Sequence, residues 1–300
     1  MELVDALRIV LVGEAMIELS RRGEGWQLGY GGDTLNTALH LARDGHDVAY
    51  LTALGTDPFV GGMLERWRGE GLDCSLVLHH PARATGLYAI QTDAAGERSF
   101  AYWRDTSAAR EMFGLDGTSA ACEAAEGADM LVFSLITLAI LPPDGRERLL
   151  ALARAVRARG GQVAFDGNYR ARLWPDAQTA LAGRDAAIAV ADIGLPTLED
   201  EAMLSGADEA AAVAAHWNGL GCKETVVKLG SKGCRLPDGT IVPPPKVFTP
   251  VDTSGAGDAF NAGYLGARIR GEGVEQAALA GHALAGWTVI RPGAIPDRDP

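Results

Sequence analysis

Short apolar runs alternate with amphipathic helical stretches along most of this chain, and this alternation restricts the possible folds most strongly. The first apolar run, RIVLVG, occupies residues 8–13, and residues 34–45 then repeat apolar side chains at helical spacing before a glycine. Such alternation is typical of βαβ units around a parallel sheet. Further strands are predicted at 48–53, 130–134, 162–165, 187–190 and 225–229, and further helices at 59–71 and 145–159. The sequence therefore predicts an α/β fold with a mainly parallel central sheet.

One segment interrupts this pattern and predicts a small β-lobe. Residues 85–92 and 98–104 alternate in polarity around a turn, which indicates a hairpin, and residues 26–29 could add a strand. Because side chains alternate along a strand, Tyr88 lies on one face of the first arm, and Tyr102 and Arg104 share a face of the second. One face of the lobe then carries aromatic rings and a guanidinium. The alternative is that the aromatic rings only pack the small sheet.

Composition and charge exclude several classes of protein. Apolar residues make up 47% of the 300 residues and charged residues 22%, which is ordinary globular usage. The net charge of −12 disfavours binding to nucleic acid or to an anionic membrane, so an anionic small molecule would need a local basic site. The chain has no apolar stretch near the roughly 18 residues of a membrane span. We therefore expect neither nucleic acid nor membrane as a partner.

The four cysteines are scattered, without the spacing of a zinc site or a disulfide framework. The amino terminus also lacks a basic segment followed by an apolar run. A reducing, cytoplasmic location is the resulting expectation.

Common catalytic motifs are absent from the sequence. None of the four lysines follows a glycine and precedes Ser or Thr as a Walker P-loop requires, and the first predicted strand lacks a dinucleotide-binding G-x-G-x-x-G. No G-x-S-x-G nucleophile motif occurs either. These observations exclude P-loop chemistry and disfavour nicotinamide, flavin and serine-hydrolase functions.

The segment DTSGAGDAF at residues 252–260 is the strongest candidate for chemistry. It predicts a helix with glycines at its start, where free backbone N–H groups and the helix dipole favour an anion such as phosphate. Asp258 follows the last glycine, a position that suits a base removing a proton from an attacking nucleophile. The alternative is an acidic residue that the helix dipole merely favours.

Residues 252–265 resemble the carboxy-terminal signature of the PfkB, or ribokinase-like, family of carbohydrate kinases. The amino-terminal signature of that family is similar to GGDTLNTA at residues 31–38, about 220 residues earlier. The resemblance covers nearly the whole chain, including DGNYR at 166–170 and KLGSKG at 228–233. It implies one ribokinase-like domain over residues 1–300, with three α/β/α layers. A small β-sheet lid is expected from about 15–30 and 84–105.

The resemblance also implies roles for individual residues. Asp258 would be the base, beside an anion hole formed by Gly255, Ala256 and Gly257. The sugar would be held by Gly31, Gly32 and Asn36. ATP would be bound by Asn168, Lys228, Gly230, Ser231 and Gly233.

The expected metal is Mg²⁺, with a monovalent cation as a further possibility. The family often carries Asn-x-x-Glu near the metal, and the corresponding stretch here reads TLEDE at 197–201. The asparagine is absent, and Glu201 is predicted to keep the acidic position.

Within the family, the chain is most similar to kinases that act on 2-keto-3-deoxygluconate, judged from residues 86–88, 99–105 and 168–170. A sugar acid suits a site with phenolic hydroxyls and guanidinium groups, because a guanidinium pairs with a carboxylate through two parallel hydrogen bonds. The candidates are Tyr88, Tyr102, Arg104 and Arg170, unless one arginine forms a structural ion pair. The alternatives are a fructokinase, a ribokinase-type enzyme or a non-catalytic sugar-acid sensor. A homo-oligomer formed through the lid is expected.

Overall fold

The computed structural model describes residues 7–92 and 98–298. The strands are β1 (Arg8–Val12), β2 (Met16–Arg22), β3 (Gly25–Gly31), β4 (Asp47–Leu54), β5 (Val77–His79), β6 (Gly86–Thr92), β7 (Arg98–Trp103), β8 (Met130–Ser134), β9 (Gln162–Asp166), β10 (Ile193–Gly194), β11 (Glu224–Thr225), β12 (Val227–Lys228), β13 (Cys234–Arg235) and β14 (Ile241–Val242). The α-helices are α1 (Asp33–Arg43), α2 (Val60–Gly69), α3 (Thr118–Glu126), α4 (Leu135–Ile140), α5 (Pro143–Ala158), α6 (Ala177–Ile188), α7 (Leu198–Ser205), α8 (Ala210–Gly219), α9 (Ala256–Ile269) and α10 (Val274–Val289). Short 3₁₀ segments lie at Ala108–Gly114, Ala171–Leu173 and Gly230–Lys232.

A seven-stranded sheet forms the centre of the molecule, in the order β11-β10-β9-β8-β1-β4-β5. Each neighbouring pair of strands in this sheet is parallel. The strands are short and apolar, as expected when both faces of a parallel sheet are covered. The predicted α/β fold with a parallel central sheet is confirmed.

The side chains of each strand alternate between two hydrophobic cores, which defines three layers. Val10 and Val12 of β1 pack in the core that includes α3, α5, α6 and α8. Ile9 and Leu11 of the same strand pack in the core that includes α1, α2, α9 and α10. The period of two along a strand therefore divides the helices between the two faces of the sheet.

A separate four-stranded sheet, in the order β3-β2-β6-β7, covers one end of the molecule; we call it the lid. Its strands lie within the two segments that the sequence assigned to a lid, although residues 93–97 of the predicted turn lie outside the described part. Tyr88 is paired with Tyr102 across β6 and β7, and with Glu18 across β6 and β2. We call the face that carries these three residues the inner face of the lid.

Two strand predictions are wrong in detail. Residues 187–190, predicted as a strand, form the end of α6 and the turn after it, with Ile188 and Val190 buried. A short apolar run has no periodicity that separates a strand from a buried helix end. Residues 225–229 were predicted as one strand but divide between β11 of the central sheet and β12 of a small antiparallel sheet.

In the described residues, no helix combines the length and apolarity that a bilayer crossing requires. Cys74, Cys122, Cys222 and Cys234 are all free thiols.

Candidate active site

Two helix N-termini, far apart in sequence, meet beside the carboxyl ends of the central strands. The Asn36 amide, in the first turns of α1, donates a hydrogen bond of 2.7 Å to Asp258 Oδ2 in the first turn of α9. The Thr37 hydroxyl also lies 3.3 Å from the Asp258 carbonyl oxygen. Sequence analysis assigned Asn36 and Asp258 to one site, and the structure brings these two residues into contact.

The Asp258 carboxyl is buried, and burial is the largest cause that raises its pKa, to about 8. The neighbouring carboxylates of Asp33 and Asp166 raise the pKa further, whereas the Asn36 amide and the Lys228 ammonium lower it. A carboxyl with a pKa near neutral pH can exchange a proton with a substrate at that pH. Asp258 therefore has the chemistry of a general base.

The start of α9 is shaped by Gly255 and is open above Gly257. Gly255 adopts φ +69°, and a Cβ there would lie 2.6 Å from the Ala294 Cβ, so only glycine fits. A Cβ on Gly257 would meet only Lys228 Nζ, at 3.8 Å. The Ala256 amide already donates to the Thr253 carbonyl at 3.3 Å, whereas the amides of Gly257 and Asp258 belong to the first turn, which lacks intrahelical acceptors.

A buried cation lies beside Asp258. Lys228 Nζ contacts Asp166 Oδ1 at 2.9 Å and Asn261 Oδ1 at 3.0 Å, and the Asn261 amide donates to Asp166 Oδ2 at 2.9 Å. Asp166 ends β9, and Lys228 ends β12. Lys228 is thus held by two oxygen atoms beside the start of α9, where it favours negative charge.

An open cleft of about 770 Å³ runs from Asp258 along the start of α9. This volume lies within the range of small-molecule sites in proteins. Its polar lining includes the predicted nucleotide-binding residues Asn168, Lys228, Gly230, Ser231 and Gly233. Its lining also includes apolar groups such as Val247, Phe248, Ala285 and Val289. The cleft therefore combines charged, polar and apolar surfaces.

The predicted sugar-binding glycines lie where the lid meets α1. A Cβ on Gly31 would lie 2.2 Å from the Tyr88 hydroxyl, and a Cβ on Gly32 would lie 2.2 Å from the Glu14 carbonyl oxygen. The Tyr88 hydroxyl donates a hydrogen bond to Glu18. Tyr88 is thereby fixed over the backbone of β3. Burial is the largest cause that raises the pKa of Tyr88, followed by the Glu18 carboxylate, with smaller contributions from Tyr102 and Asp258.

Arg104 and Arg170, the two predicted carboxylate ligands, have different surroundings. Arg104 is buried and forms an ion pair with Glu14, which also accepts a hydrogen bond from Ser107, while Arg104 Nε has no partner in the described residues. Arg170 lines the cleft and contacts Asp200 at 3.3 Å. Both arginines thus form ion pairs with protein carboxylates.

The structure does not place Glu201 in the cleft, where the sequence predicted a metal ligand. Its carboxylate contacts Arg184 Nη1 at 2.6 Å and Trp217 Nε1 at 3.0 Å, and the side chains of Glu201 and Arg184 are each only 3% exposed. The preceding residue, Asp200, lines the cleft instead, together with Glu199. Glu201 and Asp200 face different surroundings because successive residues of a helix point about 100° apart.

The carboxylates that line the cleft determine how it could bind Mg²⁺. The described residues contain no cluster of three or more His, Cys, Asp or Glu side chains that could bind a metal by themselves. Mg²⁺ often keeps several water ligands and takes one or two carboxylates plus substrate phosphates. Asp200 and Asp166 line the cleft and suit that mode of binding.

Sequence reasoning assigned no role to several polar residues of this site. Asp33 accepts hydrogen bonds from the Asn168 amide at 3.1 Å and the Thr34 amide at 2.9 Å, and burial is the largest cause that raises its pKa. Asp166, Asn261 and Glu18 were also missed. The position of Asp166 at the carboxyl end of a parallel strand was the available signal, because ligands of α/β proteins bind at that edge.

Comparison with known proteins agrees with this geometry. Residues 6–299 match the model of the pfkB family carbohydrate kinases, and the chain belongs to that family. The chain is 42% identical to the 2-dehydro-3-deoxygluconokinase of Escherichia coli strain K12 over 302 residues, covering 97% of this chain and 98% of that protein. It is also 40% identical to the 2-dehydro-3-deoxygluconokinase of Dickeya dadantii, covering 96% of each chain. The predicted family is confirmed.

A solved relative confirms the ribokinase-like fold and shows ligands. A fructokinase double mutant from Vibrio cholerae, in its fructose-, ADP- and potassium-bound form, superimposes with a TM-score of 0.84 and is 26% identical. The match covers 97% of this chain and 94% of that one.

Proposed function

We propose that this protein transfers the γ-phosphoryl group of ATP to 2-dehydro-3-deoxygluconate, also called 2-keto-3-deoxygluconate, giving the 6-phosphate. The observation that carries the catalytic part is the buried Asp258 carboxyl, bound by Asn36 at the start of α9 and open to the cleft. The identity of 35–42% to several 2-dehydro-3-deoxygluconokinases supports the substrate. A non-catalytic sensor would have no need for a base with a raised pKa at this position.

The proton transfer follows from the position of Asp258. The acceptor hydroxyl of the sugar gives its proton to the Asp258 carboxylate while its oxygen bonds to the γ-phosphorus of ATP; the bond from that phosphorus to the β–γ bridging oxygen breaks, and ADP leaves with the electron pair. The amides of Gly257 and Asp258, together with Lys228, favour the negative charge on the transferred group. Asn36 orients the carboxylate through its hydrogen bond, and the lid covers the sugar side through Tyr88.

The proposed position of ATP follows from the lining of the cleft. Its phosphates would lie toward Gly230, Ser231 and the start of α9, and its purine would lie against apolar lining such as Phe248. Mg²⁺, bound near Asp200 and Asp166, would neutralise phosphate charge during transfer. Potassium in the fructokinase double mutant supports a monovalent cation as a further requirement.

Recognition of the acid is assigned to Arg104 and to the phenols of Tyr88 and Tyr102. Arg104 is buried, and its Nε has no partner in the described residues, so a carboxylate would satisfy a donor that Glu14 leaves unused. Arg170 lines the cleft beside Asp200 and is assigned to the phosphate side.

The whole chain is proposed to be one kinase domain that pairs with a second copy through the lid. Trp26, Leu28 and Trp103, on the lid face opposite Tyr88, expose 48%, 46% and 61% of their surfaces. Exposed apolar groups on one face are typical of an interface. The free thiols agree with the proposed cytoplasmic location.

ATP turnover on a panel of sugars tests the function. We expect 2-dehydro-3-deoxygluconate to give a kcat/KM at least tenfold above fructose and ribose. A preference for fructose or ribose would identify a fructokinase or a ribokinase-type enzyme. Sugar-acid binding without any turnover would identify a sensor.

A further inference from the structure

Arg172 lies on the loop after β9 and reaches across to the lid. Its guanidinium carbon is 3.6 Å from the centre of the Tyr102 ring, which places the group flat over the face of that ring. Arg172 belongs to the 3₁₀ segment Ala171–Leu173 of the α/β body, whereas Tyr102 belongs to β7 of the lid. The contact therefore joins the α/β body to the lid.

Tyr102 connects Arg172 to the predicted sugar site. The Tyr102 ring stacks on the Tyr88 ring, with centres 5.8 Å apart and planes inclined by 23°. The Tyr88 hydroxyl binds Glu18 and lies over Gly31. Arg172 thus lies against the inner face of the lid, one ring away from the group that contacts the sugar-binding backbone.

Arg172 adds a positive charge beside the lid, where the two other arginines are paired with carboxylates. Arg104 is neutralised by Glu14, and Arg170 is paired with Asp200. Asp33 and Asp258 add carboxyl groups to the site, so an anionic sugar would gain from a cation besides the one unpaired N–H of Arg104. Among residues 7–92 and 98–298, Arg172 has no carboxylate or carbonyl partner.

Stacking on an aromatic ring leaves the guanidinium ready for a carboxylate. The ring contacts the flat face of the group, whereas all five N–H donors point outward in its plane. A carboxylate can therefore accept two parallel hydrogen bonds without displacing Tyr102. The stacked position also fixes a long, flexible side chain before the substrate arrives, which reduces the entropy lost on binding.

We propose that Arg172 is a specificity residue that binds the carboxylate of a sugar acid, with Tyr102 as the platform that positions it. This inference rests on the proposed function, because it takes the substrate to be an acid. It adds to Arg104 a second arginine for the acid, one that bridges the α/β body and the lid.

The test compares Arg172→Ala and Arg172→Lys with the wild type, using 2-dehydro-3-deoxygluconate and its uncharged methyl ester. We expect Arg172→Ala to raise the KM for the acid about 10- to 100-fold, the range for lost hydrogen bonds to a charged group. The value of kcat, the KM for ATP and the kcat/KM for the ester should change less than about threefold. Arg172→Lys should recover only part of the affinity, because an ammonium lacks the planar pair of donors.

Two further variants separate this role from a structural one. Arg159→Ala removes an exposed arginine that pairs with Glu126, so it controls for the loss of one positive charge and should leave the KM for the acid unchanged. Tyr102→Leu should raise the KM for the acid, and adding Arg172→Ala to it should have less effect than in the wild type, because the platform is already lost.

Three results would contradict the proposed role of Arg172. An unchanged KM for the acid in Arg172→Ala, while the wild type turns the acid over, would overturn this inference and leave the proposed function intact. An equal loss for the acid and the ester would show a lid contact without specificity and would also overturn it. A wild type that does not phosphorylate the acid would overturn the proposed function and this inference together.

Discussion

At the scale of single residues, the surroundings of Asp258 favour the proposed role of a base at the expense of stability. Burial beside Asp33 and Asp166 raises its pKa to about 8, far above the roughly 3.9 of an unfolded aspartate. Between these two values the folded chain binds a proton that the unfolded chain releases. The contribution of Asp258 to stability is therefore lost as the pH rises through this window, up to the folded pKa.

Asp258→Asn removes the base and keeps the shape of the side chain. We expect kcat to fall by about 10²–10⁴-fold, the usual contribution of a general base, while the sugar acid still binds. The melting temperature should rise by about 2–6 °C at pH 8, and by less at pH 5, because the variant has no carboxyl to ionise. Steady-state kinetics and thermal melts at both pH values measure these effects. Near-normal turnover would remove Asp258 from the mechanism.

The same pKa predicts the pH dependence of the wild-type enzyme. The base acts only when it is deprotonated, so kcat/KM should fall about tenfold for each pH unit below about 8. A profile from pH 5 to 9 measures this, and the residual activity of Asp258→Asn should lack the slope. A flat wild-type profile across pH 6–8 would contradict the raised pKa in the free enzyme.

At the scale of elements, the start of α9 separates two glycines that the sequence presents as equivalent. Both belong to the SGAGD run, and neither composition nor spacing shows which of them the backbone requires. Gly255 has a left-handed φ and no room for a Cβ, whereas Gly257 is open toward Lys228. The first glycine shapes the loop, and the second leaves space in the cleft.

Gly257→Val should therefore lower activity, whereas Gly255→Ala should lower stability. We expect Gly257→Val to lower kcat/KM at least 100-fold with a melting temperature within about 2 °C of the wild type, because the new side chain fills only the cleft. Gly255→Ala should lower the melting temperature by several degrees, because both its φ and its contact with Ala294 become strained. Equal loss of stability in both variants would show that Gly257 is also structural.

Helix α7 shows why the sequence alone could not say which acidic residue faces the cleft. The acidic run 199–201 has no feature that says which carboxylate faces the cleft, since that depends on the rotation of the helix against α6 and α8. Packing turns Glu201 toward Arg184 and Trp217, and turns Asp200 toward Arg170. The motif position was predictable, but the direction of each side chain was not.

Glu201→Gln and Asp200→Asn test this assignment. Glu201→Gln leaves the buried Arg184 without its charge partner and should cost about 2–4 kcal/mol of unfolding free energy, with an unchanged Mg²⁺ requirement. Asp200→Asn should raise the Mg²⁺ concentration for half-maximal activity about tenfold or more, with little effect on stability. Denaturant unfolding and Mg²⁺ titration measure the two effects. The reverse result would restore Glu201 as the metal residue.

At the scale of the whole molecule, the sequence predicted the α/β architecture well because the same strand-and-helix pattern recurs along the chain. Each βαβ unit carries its own local pattern, so the parallel sheet and the lid hairpin could be read from periodicity alone. The ion pairs of Arg104 and Arg170 could not, because their partners Glu14 and Asp200 are 90 and 30 residues away. Pairings of this kind depend on the assembled fold rather than on any local pattern.

The lid predicts the behaviour of the protein in solution. If the exposed face with Trp26, Leu28 and Trp103 joins two copies, Trp103→Glu should convert a dimer into monomers in sedimentation velocity experiments, because a buried carboxylate without a partner opposes association. Ile241→Glu is the matched control, since Ile241 is equally apolar, 49% exposed and remote from the lid on β14. A monomeric wild type would contradict the proposed lid interface.

The contact between Asn36 and Asp258 spans 222 residues, and this has a consequence for synthesis of the chain. At about 5–20 residues per second, a ribosome adds Asp258 roughly 10–40 s after Asn36. During that time α1 has been made but lacks α9, the helix that covers its polar residues Asn36 and Thr37. The nascent protein therefore carries Asn36 and Thr37 without their α9 partner until translation is almost finished, and a chain cut short before α9 lacks Asp258.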